Sequence, residues 1–298
     1  MKLRGVLPII PTPFDAAGEV DTDGVALLVD HAVRAGAGAV VFPGVASEDL
    51  HLRAEERAAC LAAASAAAAG HVPLIAGINS DEPGGMVALA EQAASHGADA
   101  IMAMAIPAME RDFAHWFARI AAATGGLPII LQNVFRPRGA DLSAEAMLRL
   151  AREVPAIRYV KEEGVPSGPK VSALVAGCGA DLDGVIGGGG GRYLFEELER
   201  GIVATMPALE LLEIHVALIK AYAAGQREAA LRLYERTLPL LLIQAPYRMR
   251  MTKLILVLRG LIASDVVREP VPEMDQALKA LVQEYYARLA DLTERAHV

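Results

Sequence analysis

The feature that most constrains this chain is a unit that recurs eight times. Short apolar runs at residues 5–10, 39–42, 74–76, 100–103, 128–131, 157–161, 182–186 and 202–206 are each followed by a helical pattern, at 21–35, 54–69, 84–95, 112–123, 143–153, 169–177, 192–200 and from about residue 209. Short strands alternating with helices require crossover connections and hence a parallel sheet, and an eightfold count favours closing that sheet into a barrel. An open doubly wound sheet is the competing arrangement. The turn after its first strand would need glycines to approach a dinucleotide pyrophosphate, and here it reads Pro11-Thr12-Pro13-Phe14. Beyond residue 208 the pattern is helical to the end, with breaks near Gly225 and around Pro270 and Pro272. The reading is an α/β chain: a (β/α)8 TIM barrel over residues 1–225 and a C-terminal helical extension over 226–298, expected to serve packing or subunit contact.

Composition removes several function classes. A net charge of −8 and a pI near 5.4 disfavour nucleic acid and anionic membrane as partners, since both carry the same sign. No uninterrupted apolar stretch reaches about eighteen residues, so no membrane span is expected. The start is broken too early by Pro8 for a signal peptide. Cys60 and Cys178 have no paired spacing and fall in helical stretches, which fits packing residues in a reducing, cytoplasmic compartment. The histidines, His51, His115 and His215 among them, show no metal-ligand spacing, and there is no GxSxG elbow. No metal and no cofactor is expected.

Barrel chemistry sits at the C-terminal ends of the strands, and the sixth strand ends in Lys161-Glu162-Glu163-Gly164. Alternation along a strand puts Lys161 and Glu163 on one face and Glu162 on the other. A lysine among apolar neighbours loses its proton more readily and becomes able to attack a carbonyl, with Glu163 as the adjacent proton acceptor. The plainer reading makes Lys161 a snorkelling strand-end lysine paired with a surface acid. Of the six lysines, only Lys161 ends a strand of the expected core. The second strand ends in Pro43-Gly44-Val45-Ala46-Ser47-Glu48, whose backbone N–H groups at Ala46 and Ser47 could receive a carboxylate or merely close a loop. The fifth ends in Gln132-Asn133, with Arg136 and Arg138 just outside, either steering anions or solvated. The glycine run 187–191 lacks a phosphate-loop ending. Gly187 and Gly188 are read as positions where backbone comes close to substrate or fits a crowded corner.

Taken together, Pro11-Thr12-Pro13-Phe14, the Gly44–Glu48 loop, Gln132-Asn133-Val134, Tyr159-Val160-Lys161 and the glycine-led eighth strand from Gly201 resemble the dihydrodipicolinate synthase/N-acetylneuraminate lyase superfamily over essentially the whole chain. The resemblance implies an imine between Lys161 and the ketone of a 2-oxo acid, with the Gly44–Glu48 loop on its carboxylate. Gln132 stands where the synthases and lyases carry a proton-relaying tyrosine, and Pro107-Ala108-Met109 replaces a second tyrosine site. These departures resemble the L-2-keto-3-deoxyarabonate dehydratase branch, which implies dehydration of a 2-keto-3-deoxy sugar acid with Lys161 and Glu163 as catalytic residues and Glu163, its pKa lifted towards neutrality, as both base and acid. Retro-aldol or aldol chemistry on pyruvate and a non-catalytic 2-oxo-acid binder are the alternatives. The resemblance further implies a homotetramer or homodimer.

Overall fold

A computed structural model describes residues 1–289. Its eight strands are β1 Gly5–Val6, β2 Val40–Val41, β3 Leu74–Gly77, β4 Ala100–Met104, β5 Ile129–Asn133, β6 Ile157–Glu162, β7 Gly184–Gly187 and β8 Ala204–Thr205. All pair in parallel in the order β1-β8-β7-β6-β5-β4-β3-β2. The ring closes where the chain beyond β1 meets β2: Ile9 bridges Val41, and Val41 N–H donates to the Pro8 carbonyl at 3.0 Å. β1 is shorter than the expected run because Pro8 has no N–H to give a ladder.

The strands are apolar on both faces because both are covered. The barrel interior is filled by Leu7, Ile9, Val41, Ile75, Met102, Ile130, Tyr159, Ile186 and Met206. At its N-terminal end the Tyr159 hydroxyl accepts from the Leu3 N–H at 3.0 Å. A second, larger core lies between strands and helices and includes Val40, Leu131, Val160 and Val185. The helices of the barrel are α1 Thr22–Arg34, α2 Ala54–Ala68, α3 Pro83–Ser95, α4 Phe113–Ala123, α5 Ala144–Glu153, α6 Gly168–Ala176, α7 Leu194–Glu199 and α8 Leu212–Ala223. Asp21, Asp112 and Ser143 cap α1, α4 and α5 by accepting from backbone N–H groups of the first turn. Cys178 lies just beyond α6 rather than within it, and both cysteines are free.

After Gly225 come α9 Arg227–Tyr247, α10 Met249–Leu258 and α11 Gln276–Ala287, with an irregular segment between α10 and α11 that contains Pro270 and Pro272. Leu211 and Ile214 of the barrel side and Leu240, Leu241, Met251 and Ile255 of the extension share a core. Among the described residues no helix is long and apolar enough to cross a membrane.

Candidate active site

β6 and the residue that follows it put Tyr159, Lys161 and Glu163 on the barrel interior, Tyr159 within the packed layers and the other two at the cavity beyond them. Lys161 pairs across β5 with Gln132, and the three polar side chains close on one another. Lys161 Nζ lies 2.8 Å from Glu163 Oε1, and Gln132 Nε2 donates to the same oxygen at 2.7 Å. Lys161 is 2% exposed and Gln132 1%, whereas the Glu163 side chain keeps 21% of its surface open. Gln132 Oε1 is buried without a partner. All three line a cavity of about 320 Å³ at the C-terminal mouth, a size that suits a small acid rather than a nucleotide.

The electrostatics of Glu163 differ from the expectation. Burial pushes its carboxyl up, but the Lys161 charge and hydrogen bonds from Lys161, Gln132 and the Gly189 N–H outweigh it and hold the carboxyl below its ordinary value. Glu163 is therefore poised as a base in the free protein, and its acid role must come from a change at Lys161. The carboxyls that burial does lift are Glu162, on the opposite face of β6, and Glu197 of α7, both to about 7. Glu162 accepts from Asn133 Nδ2 at 2.8 Å and the Gly164 N–H at 2.6 Å, and Glu197 from the Ser167 hydroxyl at 3.1 Å.

Four expected binding residues sort into different roles. Ala46 lines the cavity, and among the described residues neither its N–H nor that of Val45, which also lines it, has a hydrogen-bond partner, so two backbone donors are left unpaired at the cavity. Ser47 does not line the cavity. Its hydroxyl donates to the Ile10 carbonyl at 2.6 Å and accepts from the Gly44 N–H at 3.0 Å, and its own N–H returns to Gly44, so it builds the loop instead of contacting a ligand. Gly188 reaches the cavity, whereas Gly187 does not. A Cβ on Gly188 would lie 2.3 Å from Glu163 Cγ, and one on Gly187 would lie 2.2 Å from Glu197 Oε2. These glycines make room for carboxylates. Of the two outer arginines, Arg136 pairs with Glu110 at 2.6 Å, and Arg138 stands exposed on the cavity rim.

Lys253 is a second buried lysine that no strand pattern marked. It is fully enclosed, 2.6 Å from Glu48 Oε1, donating to the Val266 carbonyl at 2.8 Å and 3.9 Å from the centre of the Phe14 ring. Burial lowers its pKa to about 8 against the pull of Glu48. It does not line the cavity, so Lys161 is the lysine a ligand can meet. The extension also supplies cavity walls through Gln244, Ala245, Arg248 and Met249, which nothing in their sequence pattern distinguishes from ordinary helix residues.

The sequence of residues 2–287 matches the model of the dihydrodipicolinate synthetase family. The chain belongs to that family. It is therefore built as a lyase-class, class I aldolase-like barrel enzyme. It is 29% identical over 91% of its length to 94% of 4-hydroxy-tetrahydrodipicolinate synthase of Bacillus subtilis (strain 168). It is 26% identical over 98% of its length to 96% of L-2-keto-3-deoxyarabonate dehydratase of Azospirillum brasilense. Dihydrodipicolinate synthase from Rhodopseudomonas palustris superposes with a TM-score of 0.88 at 24% identity, covering 96% of this chain and 97% of that one, which is a likeness of fold. Membership of the family thus spans a carbon–carbon synthase and a carbon–oxygen lyase, and the residues of the cavity must separate them.

Proposed function

We propose that this family member dehydrates a 2-keto-3-deoxy sugar acid through an imine at Lys161. The observation that carries the reading is the Lys161–Glu163–Gln132 cluster, in which the lysine's hydrogen-bonded neighbour is a carboxylate and the residue facing it across β5 is an amide that cannot titrate. Glu163 takes the ammonium proton over 2.8 Å, the free amine adds to the C2 ketone, and Glu163 returns that proton to the carbinolamine oxygen, which leaves as water to give the iminium and restore the carboxylate. The iminium acidifies C3, and the Glu163 carboxylate removes that proton to leave a neutral enamine. With the positive charge at Lys161 gone, the main influence that held Glu163 down is removed and burial lifts its pKa, so the acquired proton can be passed on. The enamine electrons then expel the C4 hydroxyl, which leaves as water with that proton, and hydrolysis frees Lys161. The Val45 and Ala46 N–H groups receive the C1 carboxylate, and Gln132 Oε1, buried and unpartnered, accepts from a substrate hydroxyl or a water.

A second reading, aldol or retro-aldol chemistry with pyruvate, is supported by the similarity to 4-hydroxy-tetrahydrodipicolinate synthase. Borohydride reduction in the presence of 2-keto-3-deoxy pentonates and hexonates, followed by peptide mass analysis and product identification, decides the matter. The expected result is an adduct at Lys161 and a product with an unbroken carbon chain. Pyruvate plus an aldehyde would replace dehydration by the aldol reading, and an adduct at Lys253 would sink the assignment of the nucleophile.

A further inference from the structure

The glycine run and the junction of α9 and α10 meet over the cavity, and each brings in an arginine. Arg192 follows the run. Its Nη1 donates to Gln244 Oε1 at 2.9 Å, and its backbone carbonyl accepts from the Tyr234 hydroxyl at 2.5 Å, so α9 holds both its main chain and its head. A Cβ on Gly190 would come within 2.9 Å of Gln244 Oε1 and 3.2 Å of Arg192 Nη1, and one on Gly191 within 3.1 Å of His215 Nε2. The run is thus glycine so that this arginine can be packed against α9 at the cavity edge. Arg248 occupies the α9–α10 junction with a backbone φ of 43°, a conformation side chains rarely adopt, and lines the same cavity.

The charges of these two groups are poorly compensated. Among the described residues Arg192 makes no ion pair, and its one side-chain hydrogen bond goes to a neutral amide. Arg248 has Glu269 at 3.4 Å. Arg192 is partly buried, and that burial, the largest influence, works with Arg248 against its charged form, while Tyr193, Glu163 and Glu210 act in its favour, with the net effect downward. Two guanidinium groups that line one cavity, in a chain of net charge −8, are stabilised together by an anion that both can reach. The Val45 and Ala46 donors lie on a different element, the β2–α2 loop, so one carboxylate is provided for separately.

We infer that the cavity accepts a 2-oxo acid bearing a second anionic group, carboxylate or phosphate, at the far end of its chain, seated between Arg192 and Arg248. This rests on the reading of Lys161 as the residue that meets the ketone, and deepens it by naming the substrate class. Arg138, exposed on the rim, is screened by solvent and steers more than it holds.

Calorimetric titration of matched probes tests it: 2-oxoadipate against 2-oxohexanoate, and 2-keto-3-deoxy-6-phosphogluconate against 2-keto-3-deoxygluconate. At least one dianion should bind about tenfold or more tighter than its monoanionic partner, and the pair that shows it identifies carboxylate or phosphate. Arg192→Gln and Arg248→Gln should each cut that ratio towards one while leaving monoanion affinity within about twofold, and Arg192→Lys should retain part of it. Unchanged monoanion affinity also reports that the variants are folded. Equal binding within both pairs, or equal losses for monoanion and dianion in the variants, overturns the inference. Lys161→Ala separates the two claims, because it cannot form an imine yet should keep the dianion preference. A retained preference with no borohydride adduct in the unmodified protein would remove the imine reading and leave the anion site standing.

Discussion

Glu163 must be a base before the C3 proton leaves and an acid afterwards, and one carboxyl can do both only if its surroundings change between the steps. Its environment combines a strong upward influence, burial, with a removable downward one, the Lys161 charge. Glu163→Gln should therefore slow imine formation at Lys161, whose ammonium loses its proton acceptor, yet leave the adduct detectable on prolonged borohydride trapping, while lowering single-turnover dehydration from the preformed imine by about 10²- to 10⁴-fold, measured by rapid quench. Gly188→Ala should behave similarly for a steric reason: the added methyl carbon falls 2.3 Å from Glu163 Cγ, so the carboxylate must move, with a stability loss of about 1–3 kcal/mol seen in urea denaturation. Glu162 and Glu197 call for the opposite treatment. Both sit near 7 in the folded chain against an ordinary value of 4.5, so the folded state binds protons that the unfolded state has released. Their contribution is fully present below about pH 4.5 and is lost as pH rises through 7. Glu162→Gln should flatten that part of the stability profile and raise the melting midpoint at pH 8 relative to the parent. A midpoint gap that does not depend on pH would contradict this.

Among the elements, the extension carries more of the site than its helical pattern suggested. Glu48, at the end of the β2–α2 loop segment 44–48 and in a left-handed backbone conformation, accepts from the Arg268 and Glu269 N–H groups at 2.7 Å each and faces Lys253 of α10. Arg268 also reaches Glu56 at the start of α2 and holds its carboxyl down near 2. The C-terminal segment thus clamps the second strand–helix loop from outside. Lys253→Met leaves Glu48 buried without its counter-charge and should cost about 3–5 kcal/mol in denaturant titration, whereas the double change Glu48→Gln with Lys253→Met should recover much of that loss. The strand ends were legible because alternation and proline or glycine stops mark them. Lys253 was not, since a lysine inside a helix normally points to water, and only the packing of α10 on Phe14 and Glu48 turns it inward.

At the scale of the whole molecule, a chain of net charge −8 lines one cavity with Arg138, Lys161, Arg192 and Arg248 as well as Glu162, Glu163 and Glu197, and burial lifts two of those three carboxyls to about 7, so the local field there is less negative than the net charge implies. If that field draws in substrate, raising ionic strength from about 0.05 to about 0.5 M should slow borohydride trapping of dianionic 2-oxo acids more than that of monoanions, because screening shortens to a few ångströms over that range. Equal slowing would argue against focusing. The sequence by itself determined the eightfold unit and hence the parallel barrel, and it determined that Lys161 and Glu163 share a face, because strand periodicity is a local property of the backbone. The meeting of Lys161 with Gln132 follows from strand register, and Ser47 is spent on its own loop because its hydroxyl found the Ile10 carbonyl, 37 positions away. The depressed carboxyl of Glu163, the lifted ones of Glu162 and Glu197, and the placing of Arg192 before α7 and Arg248 at the α9–α10 junction were decided by tertiary structure alone. Burial and charge pairing depend on which distant residues arrive at the same few ångströms, and no local pattern encodes that.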